Sequence, residues 1–372
     1  MATVLGRSRV ALTIVLALTL AVFAIGAASA MAHSPHAVYT MTNSPAGNAV
    51  KVFHRSAEGS LSPAGEFATG GVGSGTSLGN QGGLVLDRQL LFVVNAGSDS
   101  ISSFRTTGHG LELIDTDPSG GDQPISLTVD DGLLYVLNAG GTANITGHTI
   151  SRQGALSPLV GSTRPLSAPA PGPAQVSFDP RGRTLVVTEK DTNLIDTYEV
   201  DHRTGLASGP NAQPSAGATP FGFAFDKRGH LIVSEAFGGA VDASAVSSYD
   251  VDDGLIDPIT SSAATSETAA CWIVVTKNGR FAYTTNTGSA SISGYSVSHG
   301  GELSLLDADG RTGLTGPGPI DMALTGSGRF LYSLNSGDGT ISGFRVGADG
   351  SLSPIGGVGG LPAVVVSGLA AG

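Results

Sequence analysis

Cysteine is almost missing from this chain of 372 residues: Cys271 is the only one, so no internal disulfide can form and packing alone has to hold the fold. Charge is scarce too, with Asp, Glu, Lys and Arg at 13% of residues, which argues against a solvated helical surface. What charge there is leans acidic, 30 groups against 19 basic ones for a net of −11, and this excludes the overall basic footprint of a nucleic-acid binder. Beyond the N-terminal segment no stretch keeps an apolar period of 3.6 for three turns, which removes helical solenoids. The eight histidines have no paired spacing suited to zinc. Asp115-Thr-Asp117, Asp250 to Asp253 and Asp307-Ala-Asp309 lack the spacing of a calcium loop and read as turns. No Gly-x-Ser-x-Gly elbow or phosphate loop sits in a strand-to-helix context. The expectation is therefore no metal and no cofactor.

What the chain has in quantity is glycine, 55 residues, and a repeat. A short apolar run ending in Asn or Glu recurs at Asn43, Asn95, Asn138, Glu189, Glu235, Asn286 and Asn335, in steps of 52, 43, 51, 46, 51 and 49 residues. Within a copy the order of parts is constant, as in Leu331-Tyr-Ser-Leu-Asn335, Gly339 to Val346 and Gly350-Ser-Leu-Ser-Pro354. A further short segment precedes each copy, such as Pro173-Ala-Gln-Val-Ser-Phe178. Four strands of about five residues, joined by Gly, Asp, Asn and Pro turns, use up a period near fifty and make one propeller blade. The predicted fold is all-β: a single seven-bladed β-propeller over residues 33–372. Its chain enters at Ala37 to Met41, which matches the second segment of a repeat, and finishes with Leu361-Pro-Ala-Val-Val-Val-Ser367, which matches the first. The C-terminal strand is thus expected to complete the N-terminal blade and leave few open edges, consistent with a monomer.

Ahead of the repeats, Arg7 and Arg9 precede an apolar run from Val10 to Ala28 and then Ala28-Ser-Ala30 or Ala30-Met-Ala32. This is the order of a secretory signal over residues 1–32, and export to the periplasm or outside the cell is expected, with no stable membrane insertion once the signal is cleaved. An uncleaved anchor is the alternative, because the run is near the length that spans a bilayer.

The Leu-Tyr-Val-Leu-Asn, Ile-Ser-Gly-Phe and Asp-Gly-Ser-Leu-Ser-Pro elements resemble those of the lactonase-like seven-bladed propellers, the group with bacterial 6-phosphogluconolactonases and fungal carboxymuconate-cyclising enzymes, over about residues 37–368. The resemblance implies a small organic acid or lactone as partner and polar groups near the channel mouth, at the first residues of the inner strands. It also implies a His after the strand-opening Pro and an Arg nearby. Here those positions hold Ile125, Ala174, Phe221, Cys271 and Ile320. The polar set expected at the mouth is therefore different. Glu189 and Glu235 are candidates for an acid–base pair, with Lys190 to hold an anion and Gln175, Trp272, Asp321 and Phe237 to contact a substrate. The competing reading is that the two Glu replace the Asn of the other copies and only cap a turn. Two functions follow: a lactonase-like hydrolase or cyclising enzyme, or a non-catalytic exported propeller that binds a ligand or a protein partner.

Overall fold

A computed structural model describes residues 1–2 and 36–372, so the leader expected at residues 1–32 lies, from residue 3 onward, outside the described residues. The repeats form seven separate antiparallel sheets. Blade 2 runs Leu84–Asp87, Leu90–Asn95, Ser100–Thr107 and Gly110–Pro118, from the inner to the outer strand. The inner strands of blades 3 to 7 are Pro124–Asp130, Pro173–Phe178, Pro220–Phe225, Ala270–Val275 and Pro319–Leu324. Blade 1 is built from both ends of the chain: Ser367–Ala371 lies inside, followed by Ala37–Met41, Ala49–Arg55 and Leu61–Ala68. Val38, Tyr39 and Thr40 pair with Ala371, Ala370 and Leu369, so the C-terminal strand closes the ring as expected, but that strand is Ser367–Ala371, and the expected run from Leu361 forms the turn that leads into it. The protein is a seven-bladed β-propeller.

Burial follows position in the blade. Every residue of the second strands Thr184–Glu189, Phe281–Asn286 and Phe330–Asn335 is buried, because these strands are flanked on both edges and covered by neighbouring blades on both faces. The outer strand Leu61–Ala68 is exposed at five of its eight positions. Second-strand tyrosines tie blade to blade: the hydroxyls of Tyr135, Tyr283 and Tyr332 donate to the carbonyls of Gly205, Gly350 and Gly59. Each buried ring contributes roughly 1.5–3 kcal/mol relative to an exposed one. Gly59 has a φ of +97°, and a Cβ there would meet the Phe330 ring at 2.6 Å, so the close approach of this turn requires glycine.

One departure from simple alternation matters for the site. The inner strands of blades 3 to 7 shift register just after their first residue, between Pro124 and Ser126, Pro173 and Gln175, Pro220 and Phe223, Ala270 and Ile273, and Pro319 and Asp321. Such a bulge re-aims the side chains beside it.

Candidate functional site

The inner strands begin at one end of the channel, the same end at which the second strands finish, so Gln175, Trp272 and Asp321 share a face with Glu189, Lys190 and Glu235. The structure uses the third inner-strand position to link blades. Ser126 Oγ accepts from Val176 N–H at 3.1 Å. The Gln175 amide makes a two-way pair with Phe223, accepting from its N–H at 2.7 Å and donating to its carbonyl at 3.0 Å. Asp321 accepts from Met322 N–H at 2.7 Å and from Leu369 N–H at 3.0 Å, and its burial pushes its pKa up to about 8.

Blade 5 has glycine, Gly222, at this position, and a residue from elsewhere supplies the link. Gln81 accepts from Ile273 N–H at 3.1 Å and donates to its carbonyl at 2.7 Å. A Cβ on Gly222 would lie 2.1 Å from Gln81 Oε1, so the amide occupies the space that the glycine leaves. Gln81 belongs to a segment, Leu78 to Gly83, that straps the channel mouth. Asn80 accepts from the Trp272 indole N–H at 2.5 Å, donates to Ile125 O, and accepts from Ser367 Oγ at 3.1 Å. The strap thus reaches the inner strands of blades 1, 3 and 6. Reading repeats alone passes over Asn80 and Gln81, since they lie in a connection outside the periodic segments; the Gly at the third position of blade 5 is the one signal that something must fill it.

Lys190 reaches the strap from the side. Its ammonium donates to Gly79 O at 2.7 Å and Pro173 O at 2.9 Å and lies 4.9 Å from the centre of the Phe221 ring. Burial draws its pKa down to about 8, partly offset by Asp191 and Cys271. Phe221 packs against Trp272 with ring centres 4.9 Å apart, in a small cluster with Ala174, Ala236 and Cys271. The Cys271 thiol is pushed up to about 11 by burial, which makes it a poor nucleophile. Phe237 follows Ala236 on the same face, in a tight left-handed turn with a φ of 48°.

Glu189 and Glu235 sit in blade corners. In four other blades the corner is an Asn whose amide donates to two third-strand side chains: Asn95 to Ser100 and Ser102, Asn138 to Asn144 and Thr146, Asn286 to Ser291 and Ser293, Asn335 to Thr340 and Ser342. Glu235 reverses the polarity, accepting from Ser247 Oγ and from Ser262 Oγ at 2.5 Å; burial raises its pKa. Glu189 accepts from Ser167 N–H at 3.0 Å, from Ser167 Oγ, and from Thr192 Oγ1 at 2.6 Å. Opposite it stands a second carboxyl, Asp196, held in its protonated form by burial and by Glu189 beside it. Both Glu have zero exposure and their hydrogen bonds lie in separate blades. Ser167 comes from the Pro-rich connection between blades 3 and 4, which therefore packs onto a corner. The loop at 238–246 that follows Phe237 is exposed at Val241.

Two adjoining cavities of about 350 and 380 Å³ lie along the channel below the strap, and Gln81, Gln175, Ser177 and Leu324 line both. Asp321 lines the first; Glu189 and Glu235 line neither. Among the described residues no group of three or more His, Cys, Asp or Glu is set to hold a metal ion, and no helix is long and apolar enough to cross a membrane.

The family described as "Lactonase, 7-bladed beta-propeller" matches residues 37–366. Among solved structures, a candidate 6-phosphogluconolactonase from Bacteroides uniformis shares 18% identity, with a TM-score of 0.72 over 89% of this chain and 98% of that one. Another candidate 6-phosphogluconolactonase, from Bacteroides fragilis, shares 20% identity, with a TM-score of 0.68 over 90% of this chain and 96% of that one. The periplasmic gluconolactonase of Pseudomonas aeruginosa shares 18% identity, with a TM-score of 0.67 over 88% of this chain and 98% of that one. At these identities the likeness is one of fold. No curated protein matches the chain significantly.

Proposed function

Since the chain belongs to the lactonase family of seven-bladed β-propellers, we propose that it is an exported lactonase-like protein that takes a lactone or small organic acid at the channel mouth beside Lys190. The observation that carries this reading is the Lys190 ammonium, fixed beside the strap by two carbonyls and an aromatic face. It takes the anion-holding part that the family gives to Arg. Phe221 and Trp272 supply an apolar wall beside it, and Phe237 stands on the same face. As an ammonium, Lys190 anchors a carboxylate or a developing oxyanion; as a free amine, populated as pH nears 8, it accepts a proton. Export is supported by the basic, apolar and small-residue order of residues 7–32, and the Pseudomonas aeruginosa relative is itself described as periplasmic.

The test is hydrolysis of aliphatic, sugar-derived and muconate-derived lactones by the mature protein, with binding of the corresponding acids measured alongside. Lys190→Met is expected to abolish turnover or weaken acid binding at least about tenfold with the fold intact. Acid binding by the unaltered protein is expected to weaken as pH rises through about 8, where the ammonium loses its charge. No turnover and no binding of any acid would reject the reading. The corner pair enters the same panel: Glu189→Gln and Glu235→Gln act as catalytic losses only if turnover drops while thermal unfolding is unchanged. A second reading, a binding propeller without catalysis, is favoured by the burial of those two carboxyls.

A further inference from the structure

On the face opposite the mouth, two of the turns that join inner and second strands carry exposed cations. The turn Thr276-Lys-Asn-Gly-Arg280 of blade 6 and the turn Thr325-Gly-Ser-Gly-Arg329 of blade 7 border a groove of about 610 Å³. Lys277, Arg280 and Arg329 line it and no carboxylate does, in a protein whose net charge is −11. All three are exposed, and among the described residues none has an ion-pair partner. Asp349, in the turn after Val346, is engaged by Ser351 N–H at 3.1 Å and its hydroxyl at 2.7 Å.

The guanidiniums are not loose. Arg280 stacks 5.1 Å from the centre of the Phe281 ring, and Arg329 5.3 Å from that of Phe330, where Arg345 also sits at 5.1 Å. Stacking on a ring fixes the plane of a guanidinium and leaves its N–H edge free to fork onto an oxyanion. The turns themselves are rigid: Thr276 Oγ1 accepts from Phe281 N–H at 3.0 Å and Thr325 Oγ1 from Phe330 N–H at 3.2 Å. Lys227 of the blade 5 turn packs against the blade 6 turn from its other side, its Cγ 3.1 Å from where a Cβ on Gly279 would lie. Like charges lining one groove repel one another, and an anion bound among them relieves that repulsion. Another groove on this face, between blades 4 and 5, differs, since its Arg181, Arg183 and His202 are interleaved with Asp179, Glu199 and two further aspartates.

We propose that the groove between blades 6 and 7 is a second ligand site, separate from the mouth, for the phosphoryl groups of a small, multiply charged molecule. Lys277 acts as a point charge, and Arg280 and Arg329 clamp the phosphoryl oxygens.

The experiment is calorimetric titration of the mature protein with inorganic phosphate, pyrophosphate and tripolyphosphate at low and high salt. Saturable one-to-one binding of pyrophosphate or tripolyphosphate is expected, weaker at high salt. Arg280→Gln and Arg329→Gln should each weaken it about tenfold, and Lys277→Gln, which touches no aromatic ring, should weaken it in the same direction. The double variant Arg181→Gln with Arg183→Gln, which removes two charges from the same face, should leave the affinity unchanged within about twofold. The proposal is overturned by an absence of saturable binding at low salt, or by equal weakening in that control, which would mark a net-charge effect. Much tighter binding of long polyphosphate than of tripolyphosphate would overturn the assignment to a small ligand.

Discussion

At the residue scale, the corner carboxyls show how one position can hold two chemistries. Asn donates to hydroxyls, whereas Glu235 accepts from them, and both satisfy the same buried corner. Facing Glu189, Asp196 must keep its proton. Its folded pKa is raised above its value in an unfolded chain, so its stabilising effect is complete below the unfolded pKa near 4 and is lost as pH rises through the folded value. Asp321 behaves in the same sense, with its loss running up to about pH 8. Thermal unfolding of the intact protein should therefore show stability falling from about pH 4 towards pH 8. Asp196→Asn should flatten part of that slope and raise stability at pH 8 by on the order of 1 kcal/mol, because an amide donates to Glu189 with no proton to lose. An unchanged slope would remove the shared-proton account.

At the element scale, the strap at Leu78 to Gly83 decides what the mouth is. From the repeats, Gln175, Trp272 and Asp321 read as open contacts for a substrate; in the structure their polar atoms are taken up in linking blades or holding the strap. Replacing Gln81 by Ala leaves the Ile273 N–H and carbonyl without partners in a buried place, and should cost about 1–3 kcal/mol in denaturant unfolding. If the loss falls below about 0.5 kcal/mol, the strap is held by something other than these bonds. The repeat and its strand order were legible in full, since Leu-Tyr-Val-Leu-Asn and its turns are local signals. The strap was not, because Asn80 and Gln81 have no periodicity of their own.

At the scale of the whole molecule, closure is the weak point of a ring. Sheet pairing between Val38 and Ala371 joins residues from the two ends of the chain, and among the described residues Ser367–Ala371 is the strand that pairs with the inner edge of Ala37–Met41. Removing residues 367–372 should expose that edge, lower the thermal midpoint by several degrees and produce concentration-dependent association in size-exclusion chromatography. A truncated protein with an unchanged elution volume and an unchanged midpoint would mean that the remaining six blades hold the ring without it.

The sequence by itself determined the blade count, the strand order and the closure, because period, turn residues and the matching end segments are written within stretches of fifty residues. Only the tertiary structure decided that Glu189 and Glu235 fill corners, that Lys190 lies between two carbonyls and a phenyl ring, and that Gln81 stands in for the side chain Gly222 does not have. Those contacts join residues as far as 192 positions apart, and their geometry exists only once the ring has closed.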